Sequence, residues 1–292
     1  MSDATDSILI QPRELYENLA DPALLILDAT VELPAPRFDG DYQAGSGHGG
    51  WLQGHIPGAL HADLYAGLSD PHATFSFALP SAQALSGALG ALGVSQQRRI
   101  VVYDRNDGFW AARLWWMLRS LGVRAQVLDG GFKAWQREGL PEQGGTVISR
   151  PVSWQSSYQD GYWIDRTGIE SILAGERPGI LLCALSVGLF DGSAISRYAR
   201  RGHIPGSLNL PARRLFDEQG CYLKTDALHG VLSPLLHASE PLILYCGGGI
   251  SAAALALALT LLGRCNVCIY DGSLQEWAAD HRLPMTTGAA PA

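Results

Sequence analysis

Four short blocks occur twice in this chain, in the same order, and that duplication limits the possible folds more than any other feature. Gly54-His55-Ile56-Pro57-Gly58-Ala59 returns as Gly202-His203-Ile204-Pro205-Gly206-Ser207. Each copy is followed by an apolar run, Arg99-Ile100-Val101-Val102-Tyr103-Asp104 in the first and Leu242-Ile243-Leu244-Tyr245-Cys246 in the second. Each run leads into a helix-forming stretch, residues 109–121 and 252–262, and then into a turn block, Asp129-Gly130-Gly131 with Trp135 or Asp271-Gly272-Ser273 with Trp277. Repetition of several blocks in a fixed order marks a duplicated domain.

Within each copy, short apolar strands such as 24–28 and 180–183 alternate with amphipathic stretches such as 81–92 and 225–236. That alternation predicts an α/β fold, with a mainly parallel sheet flanked by helices in each half. A chain of 292 residues is long enough for two such cores. The reading divides it into a first domain at 1–143, a linker at 144–155 rich in chain breakers, and a second domain at 156–292. Ligands of parallel α/β sheets bind beyond the carboxyl ends of the strands.

Cys246 falls at such an end, in Tyr245-Cys246-Gly247-Gly248-Gly249-Ile250-Ser251. Consecutive glycines let the backbone curl so that successive N–H groups point at one anion. The helix that follows would add the positive end of its macrodipole, an environment that favours a thiolate. Cys246 is therefore the candidate nucleophile, and the amides of Gly247, Gly248, Gly249, Ile250 and Ser251 are candidates to stabilise its charge. Ser251 has a second reading, an ordinary helix N-cap. The equivalent position of the first copy is Asp104, so only the second copy can perform thiol chemistry.

The bulk numbers narrow the class. With 47% apolar and 17% charged residues the chain reads as globular, and a net charge of −7 without a basic run argues against nucleic acid or an anionic membrane as a partner. The start, Met1-Ser2-Asp3-Ala4-Thr5-Asp6-Ser7, lacks the pattern of a secretory leader, which points to the cytoplasm. Five irregularly spaced cysteines do not make a disulfide scaffold, so reduced thiols are expected. The pair Cys265 and Cys268 has no second pair or histidine partner and sits in or beside a strand at 266–270. It reads as core or edge cysteine rather than as a metal site. His55 and His203 occur in both copies, including the one without a nucleophile, which assigns them to loop structure.

Taken together, the repeated blocks and the cysteine loop resemble the tandem-domain sulfurtransferases, the family of rhodanese and 3-mercaptopyruvate sulfurtransferase, from about residue 24 to residue 277. The resemblance implies two rhodanese-like domains, a silent first and a catalytic second, with the active site in the cleft between them. It implies a Cys246 persulfide that carries sulfane sulfur from a small donor, thiosulfate or 3-mercaptopyruvate, to a thiol, cyanide or protein acceptor, with no metal or organic cofactor. A non-turnover sulfur relay or protein-binding module is the alternative. A phosphatase reading fails because Ala252 stands where the Cys-x5-Arg loop of related phosphatases has arginine.

The chain also departs from the patterns it resembles. The mercaptopyruvate enzymes carry a Cys-Gly-Ser-Gly-Val-Thr loop whose serine works with a histidine and an aspartate of the first domain. Gly248, Phe77 and Tyr65 occupy those places here, and the neighbouring Asp63 and His72 read as surface loop residues. Leu189 in Gly188-Leu189-Phe190 replaces one substrate arginine, while Arg197, with Arg200 and Arg201 beside it, is the match to a second. The thiosulfate enzymes carry Cys-Arg-Lys-Gly-Val-Thr, and Gly247 and Gly248 supply none of that charge. The donor is left open, with poor mercaptopyruvate turnover expected.

Overall fold

The computed structural model describes residues 7–289. Residues 1–6, which bear on the expected lack of a leader, lie outside that range. The first half runs β1 (Leu9–Ile10), α1 (Pro12–Glu17), β2 (Leu24–Asp28), β3 (Val31–Glu32), β4 (Gly45–Ser46), α2 (His48–Gln53), β5 (Leu60–His61), α3 (Ala82–Ala91), β6 (Arg99–Tyr103), α4 (Phe109–Ser120), β7 (Ala125–Leu128) and α5 (Gly131–Arg137). The second runs β8 (Trp163–Ile164), α6 (Arg166–Leu173), β9 (Ile180–Cys183), α7 (Val187–Asp191), β10 (Leu208–Asn209), a short 3-10 turn, α8 (Thr225–Leu236), β11 (Leu242–Tyr245), α9 (Ile250–Leu261), β12 (Val267–Tyr270) and α10 (Ser273–Ala279).

Each half builds one five-stranded parallel sheet. The orders are β1-β7-β6-β2-β5 and β8-β12-β11-β9-β10, which are the same topology. Register repeats as well: Tyr103 of β6 pairs with Asp28 of β2, and Tyr245 of β11 pairs with Cys183 of β9. The interior strands β2 and β11 are buried along their whole length, as expected when helices cover both faces of a parallel sheet. The antiparallel β3–β4 pair belongs to the first half, and the loop it brackets reaches across to the second.

The repeated blocks turn out to be scaffolding. His55 and His203 donate through Nδ1 to the backbone carbonyls of Trp51 and Phe190 respectively, each at 2.8 Å, and each ring stacks on that same neighbour. The amides of Ile56 and Ile204 donate to the hydroxyls of Tyr103 and Tyr245, at 3.4 and 3.1 Å. Trp135 and Trp277 are fully buried, and their indole N–H groups donate to the carbonyls of Pro141 and Pro284, both at 2.8 Å. Duplicated residues thus make duplicated bonds, and the chemistry must lie where the copies differ.

Helices α4 and α9 pack against each other, and residues of both belong to one continuous apolar cluster that joins the halves. Both helices are apolar nearly all round, the pattern of a helix with no solvent face. The segment 144–155 forms no helix or strand and lies on the first half, with Gly145 N–H donating to Leu52 O and Val152 N–H to Gly90 O, each at 2.9 Å. Among the described residues no helix is long and apolar enough to cross a membrane.

Candidate active site

β11 ends at Tyr245 and α9 begins at Ile250, so Cys246, Gly247, Gly248 and Gly249 form the turn at the carboxyl edge of the second sheet. Cys246 is 2% exposed. Its N–H donates to Ser273 Oγ at 3.1 Å, and that hydroxyl donates onward to Tyr270 O at 2.8 Å. The first turn of α10 then takes the carbonyls that open the loop: Leu274 N–H donates to Cys246 O at 3.1 Å and Gln275 N–H to Gly247 O at 2.8 Å. The amides that follow, at the unpaired start of α9, are the groups available to an anion on Cys246. Gly249, with φ at 75°, is the residue that caps α9, and the helix starts two residues earlier than the sequence pattern indicates. Ser251 therefore lies inside the first turn, and its N-cap reading is corrected; its buried side chain borders the cavity instead.

The silent loop shows what such a turn can hold. The buried Asp104 carboxylate accepts hydrogen bonds from the amides of Asn106 at 2.8 Å, Gly108 at 3.1 Å and Ala111 at 2.9 Å. Burial pushes this carboxyl up overall, and the three amides offset only part of that rise. The turn is one residue longer than its counterpart, because its left-handed glycine, Gly108 at φ 78°, falls four residues after Asp104, against three between Cys246 and Gly249.

Above Cys246 a cavity of about 670 Å³ is lined from both halves. Two side chains from other elements explain the loop's first glycines. A Cβ added at Gly247 would lie 1.6 Å from Tyr198 Oη, and one at Gly248 would lie 2.4 Å from Gln275 Nε2. Gln275 in turn reaches into the first half, where its Nε2 donates to Tyr42 Oη at 3.0 Å and its Oε1 accepts from Ser76 N–H at 2.9 Å. Burial pushes the phenols of Tyr42 and Tyr198 up, which leaves both as neutral hydrogen-bond donors and poor acids. Behind the loop, Arg113 of α4 is 1% exposed and pairs with Asp271 at 2.6 Å, tying the halves together.

Comparison with known proteins agrees with this architecture. The model of the rhodanese-like domain matches residues 11–138 and 181–280. The chain is 33% identical to the 3-mercaptopyruvate sulfurtransferase of Escherichia coli K12 over 275 residues, covering 93% of this chain and 95% of the relative. The chain belongs to the rhodanese family. It is also 32% identical to the thiosulfate sulfurtransferase of Gallus gallus, over 79% of this chain and 80% of that one. Among solved structures, SseA from Escherichia coli superposes with a TM-score of 0.78 at 32% identity, covering 91% of this chain and 98% of SseA. Tum1 from Saccharomyces cerevisiae superposes at 0.81 with 27% identity, over 97% and 98%. The rhodanese assignment makes this chain a sulfurtransferase of the thiosulfate/3-mercaptopyruvate type.

Within that rhodanese framework the three arginines have separate tasks. Arg197 borders the cavity, its Nη2 donates to Pro34 O at 3.2 Å, and its Nη1 is buried without a hydrogen-bond partner. Arg200 donates to the carbonyls of Trp277, Ala278, Asp280 and Leu283 and is structural. Arg201 pairs with Asp39 of the first half at 2.7 Å, and Asp39 also accepts from Ser196 N–H at 2.9 Å, so the loop that carries Arg197 and Tyr198 is latched across the domains.

Phe77 and Leu189 border the cavity, while Tyr65 is exposed with its ring 6.4 Å from that of Phe77. Asp63 and His72 do not border it; Asp63 accepts from Ser46 Oγ at 3.0 Å, and His72 is an exposed loop residue. Of the other cysteines, burial pushes Cys183 up to about 12 and both Cys221 and Cys268 up to about 11. Cys268 is buried within β12, whereas Cys265 lies before the strand and is exposed, so the two do not form a paired site.

Sequence reasoning missed Tyr42, Tyr198, Gln275, Arg113 and Ser273. One signal was present: the turn blocks differ as Gly131 and Ser273, both with positive φ, 57° and 48°. An L-residue retained at such a backbone position needs a purpose, and here the hydroxyl binds Cys246 N–H.

Proposed function

We propose that Cys246 carries the transferred sulfur as a persulfide. Its thiolate attacks the outer sulfur of thiosulfate, a new S–S bond forms, and the donor's S–S bond breaks with its electron pair leaving on sulfite. Cyanide or a thiolate then attacks the terminal sulfur, and the pair of the Cys246 S–S bond returns to the cysteine. The amides of Gly247, Gly248, Gly249, Ile250 and Ser251 stabilise both anions. The supporting observation is the first-half loop, where the same strand, turn and helix hold the Asp104 carboxylate on three amides. Arg197, with its unpartnered Nη1 at the cavity, anchors the anionic end of the donor.

The donor follows from what must leave. Sulfite departs without a proton, whereas loss of sulfur from mercaptopyruvate creates an enolate that needs an acid at carbon. Among the described residues no histidine lines the cavity over Cys246; Gly248, Phe77 and Tyr65 stand where a serine–histidine–aspartate relay would be expected, and the two nearby phenols are poor acids. Thiosulfate is therefore the preferred donor. The reading keeps the division at 1–143, 144–155 and 156–292, with a cytoplasmic location and no nucleic-acid or membrane partner. Its support is five unpaired cysteines and a net charge of −7.

Thiocyanate formation with each donor tests this. Multiple turnovers with a higher specificity constant for thiosulfate are expected, and none with Cys246→Ser. A single stoichiometric release would indicate a carrier, and a specificity constant far higher for mercaptopyruvate would refute the donor inference.

A further inference from the structure

The cavity over Cys246 is larger and less polar than thiosulfate or cyanide requires. At about 670 Å³ it falls in the size range of sites that take drug-sized ligands, and its walls are mixed, with apolar side chains such as Phe77, Trp110 and Leu189 beside polar ones such as Arg197 and Gln275. Phe77 and Trp110 meet edge to face with centroids 4.8 Å apart, and Leu189 faces the same space. Phe77 is held in the left-handed region at φ 63°, its carbonyl accepting from Arg113 Nη2 at 2.9 Å. A bulky aromatic kept in that conformation on a cavity wall points to function rather than to packing alone. Of the other charged groups around the cavity, Lys133 Nζ donates to Asn106 O at 3.0 Å, Asp107 pairs with Arg213 at 3.3 Å, and Glu32 is exposed to solvent. The wall formed by Phe77, Trp110 and Leu189 thus selects by apolar contact.

We propose that the sulfur acceptor is a small thiol with an apolar body of about aromatic size, whose hydrocarbon part lies against Phe77, Trp110 and Leu189. The inference rests on the Cys246 persulfide reading. The acceptor thiol R–SH loses its proton to solvent, and its sulfur bonds to the outer sulfur of Cys246–S–SH. The Cys246 S–S bond breaks, giving R–S–SH and a Cys246 thiolate that takes up a proton. No oxidant or reductant is consumed.

The test loads the full chain with sulfur from thiosulfate, removes the donor, and measures unloading by 2-phenylethanethiol and 2-mercaptoethanol, two alkanethiols of similar basicity. The ratio of their rate constants is corrected by the same ratio for a small-molecule persulfide in solution. Expected is a preference for 2-phenylethanethiol of about tenfold or more, the order that partial burial of a phenyl ring supports. The preference should fall toward one in Leu189→Arg and in Phe77→His; Leu189 is only half-buried, so its variant serves if Phe77→His does not fold. A corrected ratio near one in the wild type, or one unchanged in the folded variants, overturns the acceptor class alone. A chain that takes up no sulfur overturns the persulfide reading and this inference with it.

Discussion

Alanine at Gly247 adds one methyl group at the most crowded point of the cysteine loop. Its Cβ would lie 1.6 Å from Tyr198 Oη, 2.3 Å from Cζ and 2.7 Å from Cε1. Ordinary non-bonded contact begins at roughly 3.5 Å, so the ring must retreat by about 2 Å. Tyr198 sits between Arg197 and the cysteine loop at the cavity, and its loop is latched to Asp39, so the retreat disturbs the donor site. Overpacking of this kind costs about 1–3 kcal/mol of stability. Misplacement by about 1 Å at a reacting centre costs about 100-fold in rate. The specificity constant for thiosulfate-to-cyanide transfer should therefore fall about 100-fold, or about 2.7 kcal/mol. Tyr198→Ala removes the obstacle, and the double variant should recover at least about tenfold over Gly247→Ala, a coupling of about 1.4 kcal/mol plus the cost of Tyr198→Ala alone in a double-mutant cycle. Strictly additive losses, or a Gly247→Ala enzyme at the wild-type rate, would refute the assignment of this glycine to Tyr198.

Other substitutions probe the frame and the substrate anchor. Asp271→Asn leaves the buried Arg113 guanidinium without its charge partner and should lower unfolding free energy by about 3 kcal/mol, read from the urea midpoint at unchanged slope. Asp104→Asn has a pH signature. Burial raises the Asp104 carboxyl in the folded state, so the stability it contributes is present below its unfolded value and lost as pH rises through its folded one. Wild-type stability relative to Asp104→Asn should thus decline as pH climbs upward from the ordinary carboxylate range; urea titrations that show it rising there contradict the assignment. Arg197→Ala should raise KM for thiosulfate about tenfold or more while the rate at which cyanide unloads a preloaded chain changes little, a split that stopped-flow loading and unloading can resolve.

The duplicated frame was legible because the paired residues answer to the same local demands in both halves. His55 and His203, Tyr103 and Tyr245, and Trp135 and Trp277 close equivalent bonds. Cys246 was legible because a strand, a glycine turn and a helix are contiguous in sequence. The rest of the site was not, because it is assembled across the domains: Gln275 meets Tyr42 across 233 positions, and Arg113 meets Asp271 across 158. Arg113 left one trace, a single cation inside the otherwise apolar run Trp110-Ala111-Ala112-Arg113-Leu114-Trp115-Trp116. The start of α9 was misplaced for a local reason, since a left-handed glycine can cap a helix as Ser251 was expected to do. The arginines near His203 look alike in sequence, and only their surroundings separate a cavity group from a carbonyl clamp and a cross-domain latch.

The most direct measurement is the intact mass of the protein after thiosulfate treatment, with peptide mapping and a second reading after cyanide. If Cys246 is the sulfur carrier, the wild-type chain gains the mass of one sulfur atom on Cys246 and loses it to cyanide as one equivalent of thiocyanate. Cys246→Ser gains none. Sulfur on Cys183, Cys221, Cys265 or Cys268, or a Cys246→Ser protein that still loads and turns over, would contradict the assignment of the chemistry to the second-domain loop.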